Sequence, residues 1–209
     1  KKVYSIDTAQ GYGKAHKVLG SLKIENFQIT TKISNIKKKK IKDLESYITL
    51  EIDKILEELN VNKIYALLIH DTSELKGKFG KSLFKVLQQI KKKKKIIKLG
   101  VSVYTKKELE LVIKNYNIDI VNLPISVANQ EFCEKNYLLK IKKKKIEIHV
   151  RSIFLQGLLL SNYNQLPNKF KKNKFFLEWL EWLQVNNYNP LEASLGFVKD
   201  IKYIDKIIV

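Results

Sequence analysis

The 209-residue chain predicts an α/β fold, and within that class a (β/α)8 TIM-type barrel, on three observations. Short apolar runs of strand length alternate with longer stretches of helical period. Single helices between strands make βαβ units, and hence a parallel sheet. Some runs, Ile64–Ile69 above all, are apolar without a break, as strands covered on both faces are. Seven such units favour a barrel over a doubly wound sheet, although barrels typically take about 250 residues.

The elements follow in order. Val3–Ile6 reads as a short strand, Ala15–Leu22 as a helix-like stretch and Phe27–Thr31 as a strand. Leu44–Leu59 is a helix, because Leu44, Ile48, Ile52, Ile55, Leu56 and Leu59 fall on one face. Strand Ile64–Ile69, helix Ser82–Ile90, strand Ile96–Val101 and helix Lys106–Asn115 continue the rhythm. Strand Ile118–Leu123, helix Asn129–Leu139 and strand Ile146–Val150 come next. Helices Phe175–Val185 and Leu191–Lys199 precede a last strand at Ile207–Val209. No Gly/Ser-rich linker interrupts the pattern, so residues 1–209 read as one domain.

Composition narrows the class. The formal net charge of +19 raises the prospect of a nucleic-acid partner. The excess is almost all lysine, with Arg151 the only arginine, whereas bidentate readout of guanine and phosphate favours arginine. Lysine, asparagine and isoleucine are inflated together, which is a compositional bias rather than a built patch. No nucleic-acid partner is expected. The runs Lys37–Lys40, Lys91–Lys95 and Lys142–Lys145 read as solvated helix ends or loops. No apolar run reaches about 18 residues, so no membrane span is expected. The N-terminal residues lack a signal-peptide apolar segment, and Cys133 has no internal partner. The expected compartment is the cytoplasm.

The strand ends carry the chemistry. Asp7 ends the first strand, with Tyr12 five residues on, Lys32 ends the second and His70 the third. Ser102 and Asn122 end the fourth and fifth, and Arg151 and Ser152 the sixth. Barrel enzymes build their sites at these C-terminal strand ends. One polar cap is uninformative, but Asp, Tyr, Lys and His on three consecutive strand ends form a chemically coherent set. Reducing a carbonyl needs a proton donor for the developing alkoxide. A phenol with its usual pKa near 10 is a weak acid at neutral pH, and an ammonium beside it favours the phenolate. A carboxylate holds the lysine, and a histidine orients the carbonyl oxygen. Hydride must come from a cofactor, since no side chain supplies one.

The segment Asp7-Thr8-Ala9-Gln10-Gly11-Tyr12-Gly13, closed by Leu19-Gly20, resembles the aldo-keto reductase signature. Thr31-Lys32, Ile69-His70-Asp71, Leu99-Gly100-Val101-Ser102 and Val121-Asn122-Leu123-Pro124 are similar to that family's successive strand ends, in its order. Arg151-Ser152-Ile153-Phe154-Leu155-Gln156-Gly157-Leu158-Leu159 resembles its segment beside the nicotinamide. The resemblance implies Tyr12 as acid, Lys32 and Asp7 as its tuners and His70 as substrate orienter. It implies Ser102, Asn122, Arg151 and Ser152 as contacts to NADP or NAD, and a small-molecule carbonyl substrate: an aldehyde, ketone or sugar. The alternative is a non-catalytic nicotinamide-binding sensor on the same fold.

Departures from the family pattern stand out. Val103 occupies the place of an asparagine that grips the carboxamide, and Asn122 that of a longer glutamine. Arg151 stands in for an aromatic ring, and His16 follows Ala15 where a Ser-Glu pair is common. The family has a strand before the Asp7 strand and a phosphate-binding segment after the last one. The expectation is therefore a barrel incomplete at both termini.

Other residues receive simpler readings. His149, alternating with Glu147 and Arg151, reads as a satisfied interior histidine. Cys133 reads as a core residue on a helix, and Trp179, Leu180, Trp182 and Leu183 as a packing stripe. Leu158–Lys174 reads as a loop, either covering substrate or plain surface. Three scattered histidines and one cysteine indicate no metal site.

Overall fold

The computed structural model describes residues 3–36 and 42–209, and the run Lys37–Lys40 lies outside them. The chain divides into two compact units, Lys1–Asn122 and Leu123–Val209.

In the first unit, parallel strands lie in sequence order: β1 (Ser5–Asp7), β2 (Gln28–Ile33), β3 (Ile64–Ile69), β4 (Ile96–Ser102) and β5 (Ile120–Pro124), whose last two residues enter the second unit. Helices α1 (Ala15–Gly20), α2 (Leu44–Leu59), α3 (Gly77–Lys92) and α4 (Lys106–Asn115) connect them. Each strand pairs with the next, so this unit has no reversal of strand order of the kind that marks a doubly wound sheet.

The local causes are legible. The α2 N-terminus is fixed by Asp43, whose carboxylate accepts from Glu45 N at 3.0 Å and Ser46 N at 3.3 Å. Its C-terminus turns off at Asn60, in the left-handed region at φ 53°. Between them Ile48, Ile52, Ile55, Leu56 and Leu59 are buried, as the period requires. Helix α3 starts five residues before the expected Ser82, after a 3₁₀ turn at Thr72–Leu75. Gly80 permits this start, because a Cβ there would meet the Leu75 carbonyl carbon at 2.0 Å. Gly20 likewise lets α1 approach α2: a Cβ would meet Glu58 O at 2.1 Å.

The run Lys91–Lys95 is not simply solvated. Lys91 Nζ lies 2.5 Å from an Asp119 carboxylate oxygen, and Lys95 pairs with Asp53. Asp119 also accepts from Leu99 N at 2.8 Å, so this long-range pair anchors the start of β5 beside β4.

The second unit holds β6 (Glu147–Arg151) and β7 (Lys206–Ile207), which are parallel, with His149 opposite Lys206 and Val150 opposite Ile207. Its helices are α5 (Lys135–Lys143), α6 (Asn168–Lys171), α7 (Lys174–Val185) and α8 (Pro190–Lys199). Leu159, Leu166, Phe176, Trp179 and Leu183 form its core, with Trp179 Nε1 donating to Leu159 O at 3.0 Å. The expected packing stripe splits: Trp179 and Leu183 are buried, while Trp182 is 45% exposed and stacks on Tyr188. Leu158–Lys174 is not plain loop, since it contains 3₁₀ turns and α6 and gives Leu159 and Leu166 to the core.

Helix α5 begins six residues later than expected. The chain first folds back at Ser126–Asn129, where Ser126 N donates to Asn129 O and Asn129 N to Ser126 O, both at 3.0 Å. Cys133 therefore lies half-buried before the helix, and Phe132 supplies the buried side chain. His149 is 2% exposed and bonds Glu147 Oε1 at 2.6 Å, and Lys142 pairs with Asp205. Among the described residues no helix is long and apolar enough to cross a membrane.

Candidate active site

Strand register places the polar strand ends of the first unit on one face. Side chains alternate across a strand, so residues two apart share a face. Asp7 is opposite Thr30, Lys32 opposite Leu68, Leu68 opposite Gly100, and Ser102 opposite Asn122. Asp7, Lys32, His70, Ser102 and Asn122 thus share one face at the C-terminal ends. Ile29, Thr31 and Ile33 of β2, with Leu67, Ile69 and Val101, take the other face. Gly100 makes the close strand pairing possible, since a Cβ there would meet Ile120 O at 1.9 Å.

Lys32 is the centre of the cluster. Its side chain is 1% exposed, its ammonium pairs with Asp7, and it donates to Thr8 O at 3.0 Å. Burying a charge is costly without partners, and these are its partners. Asp7 also accepts from Asn122 Nδ2 at 3.3 Å. The Lys32 ammonium lies 5.4 Å from the Tyr12 ring centroid. The His70 ring meets Tyr12 edge-on, with centroids 6.3 Å apart and planes at 80°. Tyr12 itself is 51% exposed. The geometry is that of a phenol over a buried ammonium–carboxylate pair with an imidazole at its side.

The loop that carries Tyr12 is tied down at Gln10. Gln10 N donates to Lys32 O at 3.0 Å, and its side-chain amide donates to Glu51 of α2 at 2.5 Å. In the sequence Gln10 is one residue of the motif with no visible role, because its partner lies 41 residues away. A cavity of about 300 Å³ opens beside His70 and Ser102, lined also by Ser34, Asn35 and Tyr104. Those three carried no sequence signal beyond lying next to strand ends.

Ser102 is 2% exposed and Asn122 fully buried. Asn122 Oδ1 is buried without a hydrogen-bond partner among the described residues. Val103 is fully buried and bonds Asn122 O through its backbone at 2.9 Å. In the second unit, Arg151 ends β6 and donates to Ser152 Oγ at 3.1 Å, with Ser152 in the left-handed region at φ 62°. Among the described residues no group of three or more His, Cys, Asp or Glu side chains could hold a metal ion.

Behind the first unit's sheet, on the helix-facing side, His16 is buried at 3% exposure. It bonds Thr31 Oγ1 at 2.8 Å and faces Glu58 at 3.6 Å. Burial holds its pKa below the usual imidazole value, against the opposing pull of Glu58.

Comparison with known proteins identifies the fold and the family. Solved structures of similar fold include an aldo-keto reductase from Bacillus halodurans in its holo form, 17% identical. That match covers 98% of this chain and 71% of the other, with a TM-score of 0.77. The glycerol dehydrogenase of Gluconobacter oxydans is 18% identical over 98% of this chain and 71% of its own, at a TM-score of 0.71. An aldo/keto reductase from Klebsiella pneumoniae in complex with NADP and acetate is 14% identical over 98% and 69%, at 0.70. At such identities the likeness speaks for the fold, which is that of a partial (β/α)8 barrel. No curated protein sequence matches the chain. The sequence model of the Aldo/keto reductase family matches residues 3–200, nearly the whole chain, and the chain belongs to the aldo/keto reductase family.

Proposed function

We propose that this protein is an NADP(H)-dependent carbonyl reductase in which Tyr12 donates the proton. Family membership supports the oxidoreductase class and the nicotinamide cofactor. The observation that carries the finer reading is the exposed Tyr12 phenol over the buried Lys32–Asp7 pair, with His70 at its edge.

The residues present fit the cofactor. A carboxamide needs a hydrogen-bond acceptor for its NH₂ and a donor for its carbonyl. The spare Asn122 Oδ1 offers the first and the Ser102 hydroxyl the second. Arg151 and Ser152 are assigned to the cofactor on the family resemblance alone. A nicotinamide bound there would supply the hydride.

The chain's own side chains do the rest. His70 donates to the substrate carbonyl oxygen and orients it toward Tyr12. Tyr12 gives its proton to the oxygen as negative charge develops there. The Lys32 ammonium stabilises the charge left on the phenol, and Asp7 with Thr8 O holds that ammonium in place. The substrate class is a small aldehyde, ketone or aldose. Residues 1–209 act as one domain in this reading, which the family match across both units supports.

Val103, with the short Asn122, favours the rival reading. A buried apolar side chain cannot replace the asparagine that grips the carboxamide, and a sensor needs less exact cofactor placement. The test is NADPH oxidation by the full chain against aldehydes, ketones and aldoses, with cofactor binding followed by NADPH fluorescence. Binding with turnover of at least one carbonyl class supports the reductase. Binding without turnover anywhere in the panel favours the sensor, and neither binding nor turnover overturns both.

A further inference from the structure

We infer that the first unit carries a second ligand site, a cleft between α3 and α4 that takes a small organic anion with an apolar body. It stands apart from the proposed reductase chemistry and does not rest on it. The cleft has a volume of about 530 Å³, within the range of small-molecule sites.

Its floor is apolar. Leu75 is 5% and Val112 3% exposed, and the Tyr116 hydroxyl donates to Leu75 O at 2.5 Å, closing one end. Burial pushes the Tyr116 phenol above its usual pKa, so it stays neutral and does not repel an anion. Leu111, 52% exposed, adds apolar wall.

Its rim is cationic from both sides. Lys76 and Lys81 come from the α3 side and Lys107 from α4. All three are exposed, and none is in an ion pair among the described residues. Two carboxylates also line the cleft, but both are engaged by backbone. Asp71 accepts from Ser73 N at 2.8 Å, and Glu108 from Tyr104 N at 2.6 Å and Thr105 N at 3.2 Å. Both carboxylates stay ionised, so three lysines against two acids leave the cleft lining one positive charge in excess. An apolar floor below three unpaired ammonium groups matches an aromatic or branched body bearing a phosphate or carboxylate.

The cleft and the cavity beside His70 share Asp71, Thr72 and Glu108 as a common wall. An occupant would thus sit behind the loop that carries His70, on its far side from the cavity.

The test is calorimetric titration of the full chain with 1-naphthyl phosphate at about 150 mM salt, which screens distant charges. One saturable site is expected. The variant with Lys76→Gln, Lys81→Gln and Lys107→Gln should bind about tenfold more weakly, since each exposed charge contact is commonly worth a few-fold. Leu111→Glu should weaken binding at least as much, by setting a carboxylate against the ligand. 1-Naphthol, which lacks the charge, should bind far more weakly. A matched control, Lys143→Gln, Lys144→Gln and Lys172→Gln, should bind as the parent does. The inference is overturned if no saturable binding occurs in the millimolar range, if the cleft variants bind like the parent, or if the control triple loses as much. Circular dichroism of each variant separates loss of the site from loss of the fold.

Discussion

Removal of Lys32 leaves a buried charge without its partner. Its ammonium is buried against Asp7 and Thr8 O, and the Asp7 side chain is itself only 13% exposed. In Lys32→Met, Asp7 keeps one long bond, from Asn122 Nδ2 at 3.3 Å, and the Thr8 carbonyl loses its donor. Breaking a buried ion pair from one side costs about 3–5 kcal/mol, because the remaining charge has no compensation. Asp7→Asn keeps the shape and strands the ammonium instead, at a similar cost. The double variant removes both charges, so its loss should fall short of the sum of the single losses by about 2–3 kcal/mol. Urea unfolding of all four proteins at neutral pH, followed by far-ultraviolet circular dichroism, reads these values. Single losses below about 0.5 kcal/mol, the size of ordinary surface changes, or strict additivity would refute the buried-pair argument.

Three further outcomes follow from the same structure. His16 binds its proton less readily when folded than when unfolded, so it adds no pH dependence while both states are neutral. Stability should fall as pH drops below the unfolded imidazole value and on toward the lowered folded one; urea midpoints of His16→Gln should show a shallower decline over that acid range. Gly100→Ala drives a Cβ into Ile120 O, and a melt should show a loss of at least about 3 kcal/mol, beyond ordinary overpacking, because backbone cannot move aside as a side chain can. Thr105→Ala removes half of the α4 capping box and should cost about 1 kcal/mol in urea unfolding, with no change in cofactor affinity.

The strand pattern and the shared face of the strand-end side chains were legible because both are local. An apolar run such as Ile64–Ile69 is visible as six letters, and its register then puts His70, Ser102 and Asn122 on one face without further information. The missed features depend on partners far along the chain. Lys91 reads as one more solvated lysine until Asp119 stands beside it, 28 residues on. Gln10 reads as filler until Glu51 is found bonded to it. The late start of α5 comes from Ser126–Asn129 closing on itself, a turn that competes with the helical period of the residues that follow. The α3–α4 cleft could not be read at all, since its two walls come from separate helices whose spacing no sequence window contains.

The central claim is that Tyr12 is the proton donor, and Tyr12→Phe tests it most directly by removing one hydroxyl and keeping the ring. The measurement is steady-state NADPH-dependent reduction of the best carbonyl substrate, paired with NADPH binding by fluorescence. General acid catalysis is commonly worth about 100- to 10,000-fold, so turnover should fall at least about a hundredfold while cofactor affinity stays as in the parent. Turnover within a few-fold of the parent, with NADPH bound equally well, would contradict the claim and leave Tyr12 as a packing residue beside Lys32 and His70.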